Sequence, residues 1–258
     1  MGSMTTADRT FRSRVRAGET LFGLFLDLGS PWSAELCGQA GYDWMLVDLE
    51  HGMATEADLP GILMAVESTG AAALVRPQSG ERLRIGRALD MGATGIMIPR
   101  LDSAAQAAEA VTYLRYPPAG VRGVALRARG AGLGKFGHAE VAQISEGIVG
   151  IVQIESVGAL READAIAATD GVDVLFVGPA DLTHSLGIAG QFDSPTYRDA
   201  LATVVAACRA HGKAAGILVY DTNLVPELVE LGIRVVGIGA DGALVAAGAR
   251  AALATVRG

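Results

Sequence analysis

The stretch Ala72–Pro99, AALVRPQSGERLRIGRALDMGATGIMIP, contains one complete strand–helix–strand unit. Ala72–Arg76 (AALVR) is a short apolar run, as expected for a parallel strand covered on both faces. Glu81–Met91 reads as an amphipathic helix, and Gly92 behind it accepts the left-handed conformation that closes a helix. Gly95–Pro99 (GIMIP) is the next apolar run.

The same beat extends in both directions. Upstream lie Gly23–Leu28 and Trp44–Asp48; downstream lie Ile148–Ile154, Val174–Gly178, Ala214–Val219 and Val235–Gly239. Helical patterns fall between them at Ser33–Ala40, Glu56–Ser68, Ser103–Leu114, Val157–Ala168, Pro195–His211 and Leu224–Leu231, with Ala243–Val256 after the last strand. Gly41, Gly70, Gly212 and Gly232 close helices as Gly92 does. Eight strands alternating with helices predict a single (β/α)8 TIM barrel. The competing open doubly wound sheet lacks its GxGxxG turn after the first strand. Residues 1–18 read as a leader, its first four an expression remnant, and residues 19–258 as the barrel domain.

Composition fits this reading. The 258 residues are 50% hydrophobic, enough for one large core. A net charge of −7 speaks against a nucleic-acid or anionic-membrane surface. No apolar run reaches the roughly 18 residues that span a bilayer. Cys37 and Cys208 lie far apart without metal-ligand spacing, which suits free thiols in a reducing cytoplasm. One connection is long: the segment from Arg100 to Gly147 carries RYPPAGVRG (Arg115–Gly123) and the glycine-rich Arg127–Gly137. It reads equally as a functional loop or as a subunit contact.

The strands end in polar residues, and in a barrel those ends share one rim. Asp48, Glu50 and His51 follow strand two, Arg76 ends strand three, and Arg100 follows strand four. Gln153 and Glu155 end strand five, Asp181 follows strand six, Tyr220 and Asp221 strand seven, and Asp241 strand eight. Charges beside buried strands are costly unless paired or liganded. Glu155 and Asp181 on adjacent strands could share a hard cation, Mg²⁺ or Mn²⁺. His51 could serve as acid–base group. Each residue also has a structural reading: Glu155 and Asp181 as helix caps, Arg76 as a buried partner of Asp48 or Glu50, His51 as a loop histidine.

VDLEHG (Val47–Gly52), LVRP (Leu74–Pro77), DMGATGIMIPR (Asp90–Arg100), RYPPAGVRG, VQIES (Val152–Ser156) and FVGPADL (Phe176–Leu182) occur in one order. In this the chain resembles the HpcH/HpaI aldolases, the class II pyruvate aldolases, from about Phe22 to Asp241. Leu49 and Arg100 depart from the usual pattern. The resemblance implies a reversible aldol cleavage of a 4-hydroxy-2-keto acid to pyruvate and an aldehyde through a metal-stabilised enolate. It implies Glu155 and Asp181 as ligands of a divalent ion (Mg²⁺, Mn²⁺ or Co²⁺), with Arg76 binding the pyruvate oxygen and His51 as acid–base group. Asp90 matches an aspartate that raises this histidine's basicity, a role open to a neighbouring subunit's copy. Gln153, Ala180 and Asp181 match positions touching the keto acid, and Asp48 supports His51. It also implies a homo-oligomer, a hexamer built as a trimer of dimers, often with a terminal helix exchanged. Oxaloacetate decarboxylase, acyl-CoA lyase and non-catalytic scaffold stay open as alternatives. No strand ends in a lysine: Lys135 and Lys213 are the only two in the chain.

Overall fold

The computed structural model describes residues 6–138 and 140–257. The first four residues, read as a remnant, lie outside the described part. The strands are β1 (Leu21–Leu26), β2 (Trp44–Asp48), β3 (Ala72–Arg76), β4 (Gly95–Ile98), β5 (Val149–Ile154), β6 (Val174–Val177), β7 (Ala214–Val219) and β8 (Ile233–Ala240). All pair in parallel and in chain order, and β8 returns to β1. The sheet is therefore closed, a (β/α)8 barrel, and not doubly wound.

Helix α1 (Thr6–Arg16) precedes the barrel and buries Phe11 and Val15 against it. Helices α2 (Pro31–Gly38), α3 (Leu59–Ser68), α4 (Arg82–Asp90) and α5 (Ala104–Thr112) follow the first four strands. A short α6 (Val141–Glu146) lies in the long connection. After β5, Glu162 divides the expected helix into α7 (Val157–Arg161) and α8 (Ala163–Ala168). Then come α9 (Pro179–Ser185), α10 (Pro195–Ala210), α11 (Val225–Leu231) and α12 (Asp241–Arg257). The five glycines expected to close helices all have positive φ, from 63° at Gly212 to 123° at Gly232.

Two cores share the sheet. The outer one packs helices on strands, with Ile62, Leu63 and Val66 of α3 fully buried. The inner one fills the barrel, and an aromatic trio forms its centre, with Trp44 edge-to-face on both phenylalanines. Phe25, Trp44 and Phe176 have ring centroids 6.0–6.2 Å apart. Glycines make room for it: a Cβ on Gly23 would lie 2.0 Å from the Trp44 ring, and one on Gly216 2.5 Å from Phe176. Truncating such a buried aromatic costs about 3–5 kcal/mol. The trio is the floor on which the rim residues stand.

The long connection has a small core of its own, in which Tyr116, Ala131 and Ile144 are buried. Arg122 is also buried there, its guanidinium 4.5 Å from the centre of the Tyr116 ring. Cys37 and Cys208 are free thiols. No helix among the described residues is long and apolar enough to cross a membrane.

Candidate active site

A cavity of about 510 Å³ opens at the C-terminal ends of the strands. Phe25, Asp48, His51, Arg76, Gln153 and Asp181 line its inner part. Its outer wall, between α10 and α11, is largely apolar and includes Phe192, Tyr197 and Leu224.

Register creates the central pair. Asp48 and Arg76 are Cα partners in the β2–β3 ladder. Arg76 Nε donates to Asp48 Oδ1 at 2.9 Å and Nη2 to Oδ2 at 2.6 Å, a two-point clasp. Burial would raise the Asp48 carboxyl, but Arg76 outweighs burial and holds it below the usual range. The Arg76 side chain is almost fully buried, with the Phe25 ring centre 5.5 Å from its Cζ. Asp48 Oδ1 also accepts the backbone N–H of Glu50 at 3.0 Å and of His51 at 3.3 Å. One carboxylate thus fixes both the guanidinium and the turn that carries His51. The structural reading of Arg76 as a partner of Asp48 is correct, and it leaves Arg76 facing the cavity.

Arg76 Nη1 reaches Gln153 Oε1 at 3.4 Å and stands 3.3 Å from Glu50 Oε2. Its orientation makes no hydrogen bond to that oxygen, which is buried without one. His51 is exposed, with Nε2 3.8 Å from Glu50 Oε2.

Glu155 lies just past β5 and is buried. It is not the cap of α7: Ser156 is, accepting from Ala159 N. Glu155 Oε1 instead accepts the backbone N–H of Arg100 at 2.7 Å. Arg100 reaches that position with φ of 57°, a conformation rare outside glycine. Burial, and then the charges of Glu50 and Asp181, push the Glu155 carboxyl up despite that hydrogen bond. Burial also raises Glu50, with Asp48 and Asp181 adding to it against Arg76 and His51. Asp181 is exposed in the first turn of α9, whose cap residue is Gly178.

These carboxylates suit a hard cation. They crowd and destabilise one another's charge, and one buried oxygen of Glu50 has no hydrogen bond. Gly178 shapes the space: a Cβ there would sit 3.0 Å from Gln153 Nε2 and 3.2 Å from Glu155 Oε2. No group of three or more His, Cys, Asp or Glu among the described residues is arranged to hold a metal.

Other expected residues lie elsewhere. Asp90 closes α4 at the end leading into β4, on the face opposite the cavity, and its Oδ1 accepts from Arg122 Nη2 at 3.2 Å. Within one chain it does not meet His51. Asp241 is fully buried and accepts from Asp27 N at 2.7 Å, Leu28 N, Gly242 N and Ser33 Oγ, so it ties down the β1–α2 turn. Lys213 Nζ donates to Val172 O at 2.7 Å, away from the cavity, and Lys135 sits in the long connection. Phe25 and Asp27 are cavity residues that sequence reading missed. Both belong to the apolar run GLFLDL, where the charged Asp27 was the available signal.

The family model for HpcH/HpaI aldolase/citrate lyase matches residues 21–247. A hydroxypyruvate/pyruvate aldolase of Paraburkholderia phytofirmans is 40% identical, over 98% of this chain and 100% of that protein. A 2-keto-3-deoxy-L-rhamnonate aldolase of Salmonella dublin is 38% identical, over 90% of this chain and 86% of its own. The crystal structure of an HpcH/HpaI aldolase/citrate lyase family protein from Burkholderia cenocepacia superposes with a TM-score of 0.92. It is 37% identical and covers 97% of this chain and 100% of its own.

Proposed function

The chain belongs to the HpcH/HpaI aldolase/citrate lyase family and is a carbon–carbon lyase, and on that premise we propose a divalent-metal-dependent pyruvate aldolase. Its reaction is the reversible cleavage of a 4-hydroxy-2-keto acid into pyruvate and an aldehyde. The observation that carries this reading is the placement of Arg76, clasped by Asp48, beside the carboxylates of Glu50 and Glu155 at one rim.

Glu155 and Asp181 hold the ion, here Mg²⁺, Mn²⁺ or Co²⁺, with Glu50 beside them. When bound, such an ion supplies Lewis-acid polarisation of the keto oxygen. Arg76 adds a fixed positive charge. Of its five N–H groups, two hold Asp48 and one reaches Gln153, which leaves two for that oxygen. Ala180 and Asp181 bring first-turn N–H groups of α9 to the keto acid's carboxylate. In cleavage His51 takes the proton of the 4-hydroxyl. The C3–C4 bond then breaks, the aldehyde leaves, and the remaining pyruvate enolate takes at C3 the proton that His51 had accepted. A part for Asp90 requires a second copy to carry it to His51.

A homo-oligomer supplies that copy. Leu244, Val245, Leu253 and Val256 of α12 are exposed, so the helix does not cover its apolar face on its own barrel. Burial against a neighbour is the expected resolution.

The test is product formation from pyruvate and a panel of aldehydes after EDTA dialysis, with each ion then restored. The expected result is loss and recovery of turnover. Turnover intact without metal, or covalent trapping of pyruvate by borohydride, would sink the proposal.

A further inference from the structure

We propose that Asp27 selects the aldehyde, accepting hydrogen bonds from hydroxyl groups of a neutral, hydroxylated aldehyde and disfavouring acidic ones. This rests on the aldolase reading and concerns its second substrate.

Asp27 follows β1, across the barrel from the Glu155 and Asp181 side, where the keto acid sits. It lines the cavity and is half-buried. Its backbone is held at two points: its N–H donates to the buried Asp241, and its carbonyl accepts from Met53 N at 2.7 Å. The side chain is thus presented from a rigid frame. Among the described residues no donor reaches its carboxylate, which feels only burial and the charges of Asp48, Asp241, Arg76 and His51. The Arg76 guanidinium clasps Asp48 and makes no hydrogen bond to Asp27. A half-buried carboxylate so placed has acceptor capacity that no protein donor uses, and hydroxyl groups of a ligand can take it over from water.

Charge then decides which ligand. Asp221 beyond β7 and Glu227 in α11 line the cavity together with Asp27, while Asp193 and Arg198 line it from the segment that follows β6. An aldehyde carrying its own carboxylate meets repulsion there; hydroxyl groups meet an acceptor without a partner. A hydrogen bond to a charged group discriminates by roughly 10- to 100-fold against an analogue lacking the hydroxyl.

The experiment compares kcat/KM for glyceraldehyde, propanal and succinate semialdehyde, with pyruvate as common partner, in wild type, Asp27→Ala and Asp27→Asn. Wild type is expected to favour glyceraldehyde over propanal by roughly 10- to 100-fold. Asp27→Ala brings that ratio toward parity. Asp27→Asn retains part of it, because the amide oxygen still accepts, and gains on succinate semialdehyde. A ratio unchanged in Asp27→Ala overturns the inference, even if overall turnover falls, and so does a wild-type preference for propanal. Exchange of pyruvate methyl protons in D₂O, without aldehyde, separates the two readings. Wild-type enzyme that neither exchanges nor forms any adduct overturns the aldolase reading and this inference together. Exchange with an unchanged aldehyde ratio overturns this inference alone.

Discussion

Arg76 and Asp48 face each other across the β2–β3 ladder and close on one another at 2.6 and 2.9 Å. Both are buried, so the pair concentrates charge where the barrel is otherwise apolar. Breaking it takes from the buried guanidinium its only hydrogen-bonded carboxylate and leaves Glu50, 3.3 Å away without a hydrogen bond, as its nearest charged partner. Asp48→Asn is expected to cost about 3–5 kcal/mol in urea unfolding.

The same pair predicts a pH dependence. The Asp48 carboxyl lies below its ordinary range when folded, because Arg76 overcomes the effect of burial. Its contribution is therefore full above the unfolded carboxylate pKa, near about 3.9. It is lost as pH falls through the lower folded value. The stability gap between wild type and Asp48→Asn should be flat around neutrality and shrink below about pH 4. A gap that instead widens on acidification would show that the pair is not ionic.

Arg76→Lys keeps the charge and loses the fork. A lysine ammonium cannot clasp both Asp48 oxygens and also reach Gln153. The expected result is a kcat lower by roughly 10²- to 10³-fold with the fold retained, read from steady-state cleavage and circular dichroism. Activity equal to wild type would remove the bidentate geometry from the mechanism.

Arg100 acts through its backbone, since its N–H holds Glu155 from a left-handed conformation. Arg100→Gly preserves both features and should leave Mn²⁺ affinity essentially unchanged. Arg100→Pro removes the N–H and cannot adopt that φ, so affinity should fall by roughly 10- to 100-fold in titration calorimetry. Equal affinities in the two variants would break the link between this turn and the metal.

The exposed apolar face of α12 makes a prediction about assembly. Val256 is 80% exposed and Leu253 47% in the single chain. If a second copy covers them, Leu253→Asp with Val256→Asp should reduce the mass measured by light scattering. A wild type already monomeric at micromolar concentration would contradict an obligate oligomer.

The eightfold beat was written in local sequence, because apolar runs and closing glycines act over a few residues. Three of the eight predicted strands match the observed ends at both termini, and the others shift by one or two residues at one or both ends. The helix split at Glu162 escaped notice, and the helix after β6, expected with Asp181 as its cap, starts at Pro179 with Gly178 as cap; both are too short for a clear helical period. His51, Arg76, Gln153 and Asp181 were legible as polar residues ending apolar runs, and the cavity gathers them. Only the closed barrel decided what each meets. The β2–β3 register set Arg76 on Asp48. The left-handed turn at Arg100 turned Glu155 away from the α7 cap. Asp241, far along the chain, pinned the turn beside Asp27 through the β8–β1 closure. Asp90 went to the opposite face because α4 runs from the rim to the base of the barrel. Residue type and periodicity determine which groups end a strand; long-range register and ring closure determine which of them touch.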